Sequence, residues 1–267
     1  MLTVPEEAVA PLLGWYGANK RSLPWRDNPT PYRVWISEIM LQQTRVEAVK
    51  PYYRRFMAEL PDVESLAAVD DDRLMKLWEG LGYYSRARNL KKAARLVVDE
   101  YGGVFPHSRG ELLKLPGVGD YTAGAVASIA MNLPEPAVDG NVLRVVSRLT
   151  GSREDIAKPQ TKQAFSDALR KIYPPGRCGD FTQALMELGA TVCLPNGEPM
   201  CLVCPWRGLC AACREGSTDE IPVKAAKKAR SIEEKTVFLL RWGEKGAFRR
   251  RPRGGVLGGV GGGPDVE

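Results

Sequence analysis

The stretch Leu115-Pro116-Gly117-Val118-Gly119-Asp120 constrains the chain more than any other. Pro116 cannot continue a helix, and Gly117 and Gly119 are free to take φ above zero, so the segment must turn tightly. Ahead of it, Ser108-Arg109-Gly110-Glu111 has the form of a capping box opening a short helix through Leu112, Leu113 and Leu115. Behind it, Tyr121 to Met131 is small and apolar enough for a closely packed helix. Two short helices joined by a glycine bend leave amide N–H groups facing outward at a helix start, which suits an anion such as phosphate. A plain glycine turn between two core helices is the alternative.

The rest of the first 220 or so residues shows helical periodicity and no run of alternating strands. Apolar positions recur at Leu12, Leu13 and Tyr16, at Trp35, Ile39, Val46 and Val49, and at Leu74, Leu77 and Trp78. They recur again at Val142, Val145, Val146 and Leu149, and at Phe165, Ala168, Leu169 and Ile172. Prolines and glycines such as Pro61, Gly80, Gly102-Gly103 and Pro174-Pro175 punctuate these runs. The expected fold class is all-α. Residues 214–231 are polar and basic and read as a linker. Thr236 to Trp242 is the best strand candidate, and a glycine-rich tail with too few side chains for a core follows.

The 38 Lys and Arg residues exceed the 32 acidic ones in a chain of 267, giving +6. That excess favours a polyanionic partner. No apolar run reaches the length of a membrane span, and the N-terminus carries Glu6 and Glu7 where a leader would be basic. A cytosolic or nucleoid location is expected.

Five of the six cysteines fall between Cys193 and Cys213, a crowding that reads as metal ligation where no leader is expected. Cys193, Cys201, Cys204 and Cys210 form C-x₇-C-x₂-C-x₅-C, which matches a [4Fe–4S] cluster better than a zinc ribbon. A four-thiolate zinc site on Cys201, Cys204, Cys210 and Cys213 stays open. Cys178 reads as a small buried hydrophobe. The single histidine, His107, lies far from the cysteines and supports neither a mixed zinc finger nor a serine–histidine triad.

Two carboxyls stand out. Glu38 sits at the edge of the apolar stripe of a helical run, where partial desolvation raises a carboxyl pKa and keeps a proton available near neutrality. A solvated helix face is the competing reading. Asp139, in Val138-Asp139-Gly140-Asn141, precedes a helix and reads as an N-cap, a role that also fixes and aims a carboxylate. One protonated and one charged carboxyl are what cleavage of a glycosidic bond needs. Tyr83 and Tyr84 beside Arg86 and Arg88 combine stacking surface with phosphate-binding charge, or else are core tyrosines under a solvated basic face.

With these motifs in order, residues 10 to about 213 resemble the helix-hairpin-helix DNA glycosylase superfamily with an iron–sulfur loop. Leu23-Pro24-Trp25-Arg26, Trp35 to Thr44, Gly80 to Tyr84 and Gln183 to Gly189 resemble its adenine DNA glycosylase branch (MutY type). The resemblance implies two helical subdomains flanking a cleft: residues 25–136, carrying the hairpin, and residues 1–24 with 137–213, carrying the cluster. It implies Glu38 as general acid, Asp139 as stabiliser of an oxocarbenium-like sugar, and Tyr121 and Asn141 as groups that orient them. Trp25, Arg26, Leu41 and Glu187 would line the pocket of the extruded base. Gln43, Thr44 and Tyr83 would attend the opposite base, with Arg86 on the same DNA-facing segment. Gly117, Val118 and Gly119 would grip the DNA backbone through their amides. Cys193, Cys201, Cys204 and Cys210 would hold a [4Fe–4S] cluster.

The implied partner is double-stranded DNA with adenine opposite 8-oxoguanine or guanine, bound by a monomer. Tyr121 stands where endonuclease III-like relatives carry a Schiff-base lysine, so excision without efficient strand cleavage is expected. Two departures stand against the pattern. The first cysteine interval is one residue longer than the usual six, which sets Cys193 apart. Residues 232–267 resemble only the opening of a Nudix-like 8-oxoguanine-recognition domain, and read as its shortened remnant, β or irregular. An endonuclease III-like glycosylase, an inactive DNA-binding module and an iron–sulfur electron carrier each explain fewer of these features.

Overall fold

The computed structural model describes residues 2–225, together with 236–237, 241–246, 249–250, 261–262 and 265–266. Residues 1–225 form one compact unit and 226–267 another.

The larger unit is helical. Helices α1 (Val9–Asn19), α2 (Pro31–Leu41), α3 (Val46–Glu59), α4 (Val63–Ala68), α5 (Asp71–Trp78) and α6 (Ser85–Tyr101) come first. Three of their starts follow local chemistry: Thr30 caps α2 with Pro31 at its first position, Asp62 and Ser65 form a capping box on α4, and Asp70 caps α5. The hairpin is α7 (Arg109–Leu112) and α8 (Asp120–Ala125), the latter continuing as a π-helical turn over Val126–Ala130. Then come α9 (Gly140–Thr150), α10 (Pro159–Arg170), α11 (Cys178–Thr191) and α12 (Ala211–Glu215).

Two apolar clusters make the core. One joins α2 to α8 around Trp35, Ile36, Met40, Phe56 and Trp78. The other joins α1 to α9, α10 and α11 around Leu12, Tyr16, Val146, Phe165 and Phe181. Gly124 lets α8 touch the segment after it: a Cβ there would stand 2.3 Å from the Pro136 oxygen. That close approach accounts for the glycine at position 124. Buried polar contacts pin the π turn to α11, with Thr182 Oγ1 donating to Ser128 Oγ at 2.8 Å and Ser128 Oγ to Gly124 O at 2.7 Å.

The capping box before the hairpin forms in part. Ser108 Oγ accepts from Glu111 N at 3.3 Å and donates to Glu111 Oε2 at 2.8 Å. Arg109 and Asp120 form an ion pair across the bend.

The expected linker does not begin at residue 214. Ile221 is 1% exposed, its carbonyl accepts from Arg148 Nε at 2.8 Å, and Val223 O accepts from Ile156 N at 3.1 Å. One apolar anchor and two backbone acceptors hold this polar stretch against α9 and its neighbours. In the smaller unit, the expected strand at 236–242 appears as Thr236–Val237 and Arg241–Trp242; residues 238–240 lie outside the described residues. The first pairs antiparallel with Asp265–Val266, the second with Lys245–Gly246, and Arg249–Arg250 with Gly261–Gly262. Glycine positions in the tail thus supply strand partners through backbone groups alone.

Candidate active site

A cleft of about 390 Å³ is lined from three directions. Helix α2 contributes Ser37, Glu38 and Leu41, the hairpin's second helix contributes Tyr121, and α9 and α11 contribute Asn141, Gln183, Met186 and Glu187. Asp139, the N-cap of α9, opens on the same space, as do Trp25 and Arg26.

Glu38 is 6% exposed, and the Tyr121 hydroxyl donates to its Oε2. Burial is the dominant influence and pushes its carboxyl up to about 7; the Tyr121 hydrogen bond pulls the other way, and nearby Asp139 adds to the rise. The Tyr121 phenol is held well above its ordinary range by burial and by the two carboxyls, so it acts as a donor.

Asp139 caps α9, accepting from Val142 N at 2.8 Å, and Asn141 Nδ2 donates to its other oxygen at 2.8 Å. Burial raises this carboxyl too, against the cap bonds and the Arg144 charge, which favour the anion. The cap position and the cleft-facing position are one residue. The cap expected of Asp139 therefore also aims its carboxyl into the cleft.

Glu187 is 1% exposed and saturated with donors. Oε1 accepts from Arg21 N at 3.0 Å and Arg21 Nε at 2.7 Å, and Oε2 from Arg21 Nη2 at 3.0 Å and Arg26 Nη2 at 2.9 Å. Burial alone would raise its pKa, but these bonds outweigh it and hold the carboxyl down at about 2. Arg26 is fixed in turn by Gln183 Oε1, Arg21 O and the Tyr16 ring. The pair is a rigid charged wall, with its polar atoms already engaged.

Arg21 and Arg144 escape sequence reasoning. Arg144 donates from Nη2 to Asn141 Oδ1 at 2.9 Å and to Gly189 O at 2.8 Å, and from Nε to Cys193 O at 2.8 Å. The signal for it is present: Asn141, Arg144 and Arg148 recur at helical spacing on one side of an otherwise apolar helix. Arg21 carries no such signal, because its partner is 166 residues away.

Of the remaining expected residues, Thr44 lines the cleft, whereas Gln43 and Tyr83 are exposed and do not. The Gly117 and Gly119 N–H groups meet no acceptor among the described residues, but Val118 N–H is spent on Leu115 O at 3.1 Å and its side chain is buried. Val118 therefore closes the turn and offers no outward amide. Gly117 adopts φ +79 with Asn89 packed beneath it, so the turn needs a residue without Cβ. Arg86 is turned inward onto backbone carbonyls, where a phosphate contact had been expected of it.

Cys193, Cys201, Cys204, Cys210 and Cys213 surround a second, small pocket with Arg148 and Arg207. Arg148 Nη1 donates to Cys193 Sγ at 3.3 Å and to Leu194 O at 2.9 Å. Cation and thiol side by side suit a group that carries thiolate charge, and the expected cluster ligands share one space. Among the described residues, no three His, Cys, Asp or Glu side chains are arranged to hold a metal ion. Cys178 is buried away from them, as a small hydrophobe.

A helical fold with a glycine hairpin, set beside a cleft holding a buried acid and a capped aspartate, defines a class. The chain belongs to the HhH-GPD superfamily of base excision DNA repair proteins, whose family model matches residues 36–171. It is 46% identical over 210 residues to the adenine DNA glycosylase of Mus musculus, covering 75% of this chain and 41% of that protein. The chain thus spans under half the length of that relative. Among solved structures, a thermostable thymine-DNA glycosylase superposes with TM-score 0.71 at 31% identity, covering 78% of this chain and 95% of that one. A non-covalent endonuclease III–DNA complex superposes with TM-score 0.65 at 26% identity, over 80% and 99% of the respective chains. No helix among the described residues is long and apolar enough to cross a membrane.

Proposed function

We propose that this chain is an adenine DNA glycosylase, hydrolysing the N-glycosidic bond of adenine mispaired with 8-oxoguanine or guanine in duplex DNA. The observation that carries this reading is the cleft shared by Glu38 and Asp139, one buried enough to keep its proton near neutrality, the other aimed by an N-cap. The likeness to adenine DNA glycosylases supports the choice of base.

In this reading adenine leaves the stack, because its glycosidic bond is inaccessible within the duplex. Glu38 gives its proton to a ring nitrogen, the bond from C1′ to the base breaks, and the electron pair leaves with adenine. The Asp139 carboxylate faces the cationic sugar, with Asn141 fixing one of its oxygens. Water adds to C1′ and its proton returns to Glu38, restoring the enzyme. Tyr121 holds Glu38 in place and has no amine with which to form an imine, so the strand is left uncut. Trp25 and Leu41 supply apolar wall to the base, and the Glu187–Arg26–Arg21 assembly supplies a fixed polar wall. The free amides at Gly117 and Gly119 bind the DNA backbone.

The four thiols Cys193, Cys201, Cys204 and Cys210, which share one small pocket beside Arg148, would hold a [4Fe–4S] cluster. The apolar cluster from α2 to α8 and that of α1 with α9 to α11 support a division into two subdomains flanking the cleft.

The test is incubation with a duplex bearing adenine opposite 8-oxoguanine, with and without hot alkali. Strand breaks only after alkali are expected from the wild type, and none from Glu38→Gln with duplex binding retained. A fully active Glu38→Gln protein removes the assignment. Purified protein should be brown and contain about four irons per chain.

A further inference from the structure

Arg86 stands in the first turn of α6 and makes five hydrogen bonds to two separate bends. Nη1 donates to Ile39 O at 2.7 Å, Met40 O at 3.3 Å and Gln42 O at 2.8 Å. Nη2 donates to Leu81 O at 2.9 Å and Gly82 O at 3.3 Å. Its guanidinium lies over Trp78 at 5.3 Å and Tyr83 at 5.7 Å, and Trp78 Nε1 adds a bond to Gly82 O at 3.1 Å. The first three carbonyls belong to the end of α2, where a helix has no donors of its own left to offer. Nε is buried with no partner, a cost accepted for the sake of the fork.

Each bend carries a residue in a conformation that side chains disfavour: Gln43 at φ +59 and Tyr83 at φ +46. Both are exposed, Tyr83 by 56% of its surface. Strained backbone persists only where its surroundings over-determine it, and here the shared surrounding is one side chain.

We infer that Arg86 is a positioning residue, a staple that holds the Gln42–Thr44 and Gly80–Tyr83 bends as one rigid two-pronged probe for the base opposite the excised one. The inference rests on the proposed function, and it assigns Arg86 no contact with DNA. Because the staple also closes the end of α2, which carries Glu38, placement of the probe is tied mechanically to the acid.

The experiment uses Arg86→Lys, Tyr83→Ala and the double variant, and a duplex with adenine opposite 8-oxoguanine and 2-aminopurine next to the latter. Lysine keeps the charge but has no planar fork for two bends. Arg86→Lys is expected to lose at least about tenfold in single-turnover excision and to lose the 2-aminopurine fluorescence rise that reports unstacking. In Arg86→Gln, which removes the charge, the salt dependence of duplex binding should keep its slope, whereas loss of a phosphate contact lowers it by about one. Adding Tyr83→Ala to Arg86→Lys should cost nothing more. A wild-type rate in Arg86→Lys, a lowered salt slope, or losses that multiply in the double variant overturns the staple. Should Arg86→Lys fail to fold, Tyr83→Ala alone must lower both the fluorescence rise and excision, and wild-type values there overturn the two-pronged probe. Wild-type protein that unstacks the duplex without excising adenine keeps the staple and removes the reaction.

Discussion

Arg144 Nη2 and Asn141 Oδ1 are 2.9 Å apart, and the same guanidinium reaches Cys193 O at 2.8 Å. One buried side chain therefore joins the residue that steadies Asp139 to the start of the cysteine loop. Replacing it with leucine orphans up to three acceptors, at on the order of 1–3 kcal/mol each. Arg144→Leu is expected to lower the urea midpoint and to slow excision well beyond any change in duplex affinity. Equal losses in rate and affinity would show that Asn141 does not depend on it.

Glu38 trades stability for its proton. Its folded pKa of about 7 lies above the unfolded 4.5, so its contribution is fully favourable below pH 4.5 and is lost as pH rises through 7. Glu38→Gln keeps an acceptor for Tyr121 and carries no charge. It should abolish excision yet raise the unfolding free energy above pH 7 by up to about 3 kcal/mol, with the gain vanishing near pH 4. Thermal melts across that range check the sign.

Tyr121→Phe removes the hydrogen bond that pulls the Glu38 pKa down. The alkaline limb of the pH–rate profile, expected near 7 in the wild type, should move to higher pH on a lower absolute rate. A limb that stays put, or moves to lower pH, would mean another group governs it.

Glu187 behaves in the opposite sense. Its folded pKa of about 2 lies below the unfolded 4.5, so its stabilisation is present above pH 4.5 and disappears as pH falls through 2. Glu187→Gln should cost about 3 kcal/mol at pH 7, and the two proteins should converge in acid. A difference that persists at pH 2 would trace the loss to packing.

Local chemistry made much of this legible in advance. The burial of Glu38 follows from its place among the apolar residues of α2, which stops at Leu41 so that Val46 and Val49 fall in α3, and the capping role of Asp139 from the helix that begins one residue later. The Pro-Gly-Val-Gly bend is read from backbone sterics alone. What could not be read depends on distant partners. Nothing near Arg21 announces Glu187, and the inward turn of Arg86 is decided by carbonyls some 45 residues earlier. Residues 214–225 show the same limit, since their polar composition hides one apolar anchor at Ile221.

Gly189 sits where α11 crosses the start of α9: a methyl group there would stand 2.6 Å from the Asn141 Cβ. Even alanine would act as a shim under a side chain 48 positions away. Such a change lies within a regular helix, alters no charge and touches none of the reacting groups. Its harm would surface as a lowered melting temperature together with a misaligned Asn141, because the clash falls on atoms at the α9 backbone that cannot swing aside.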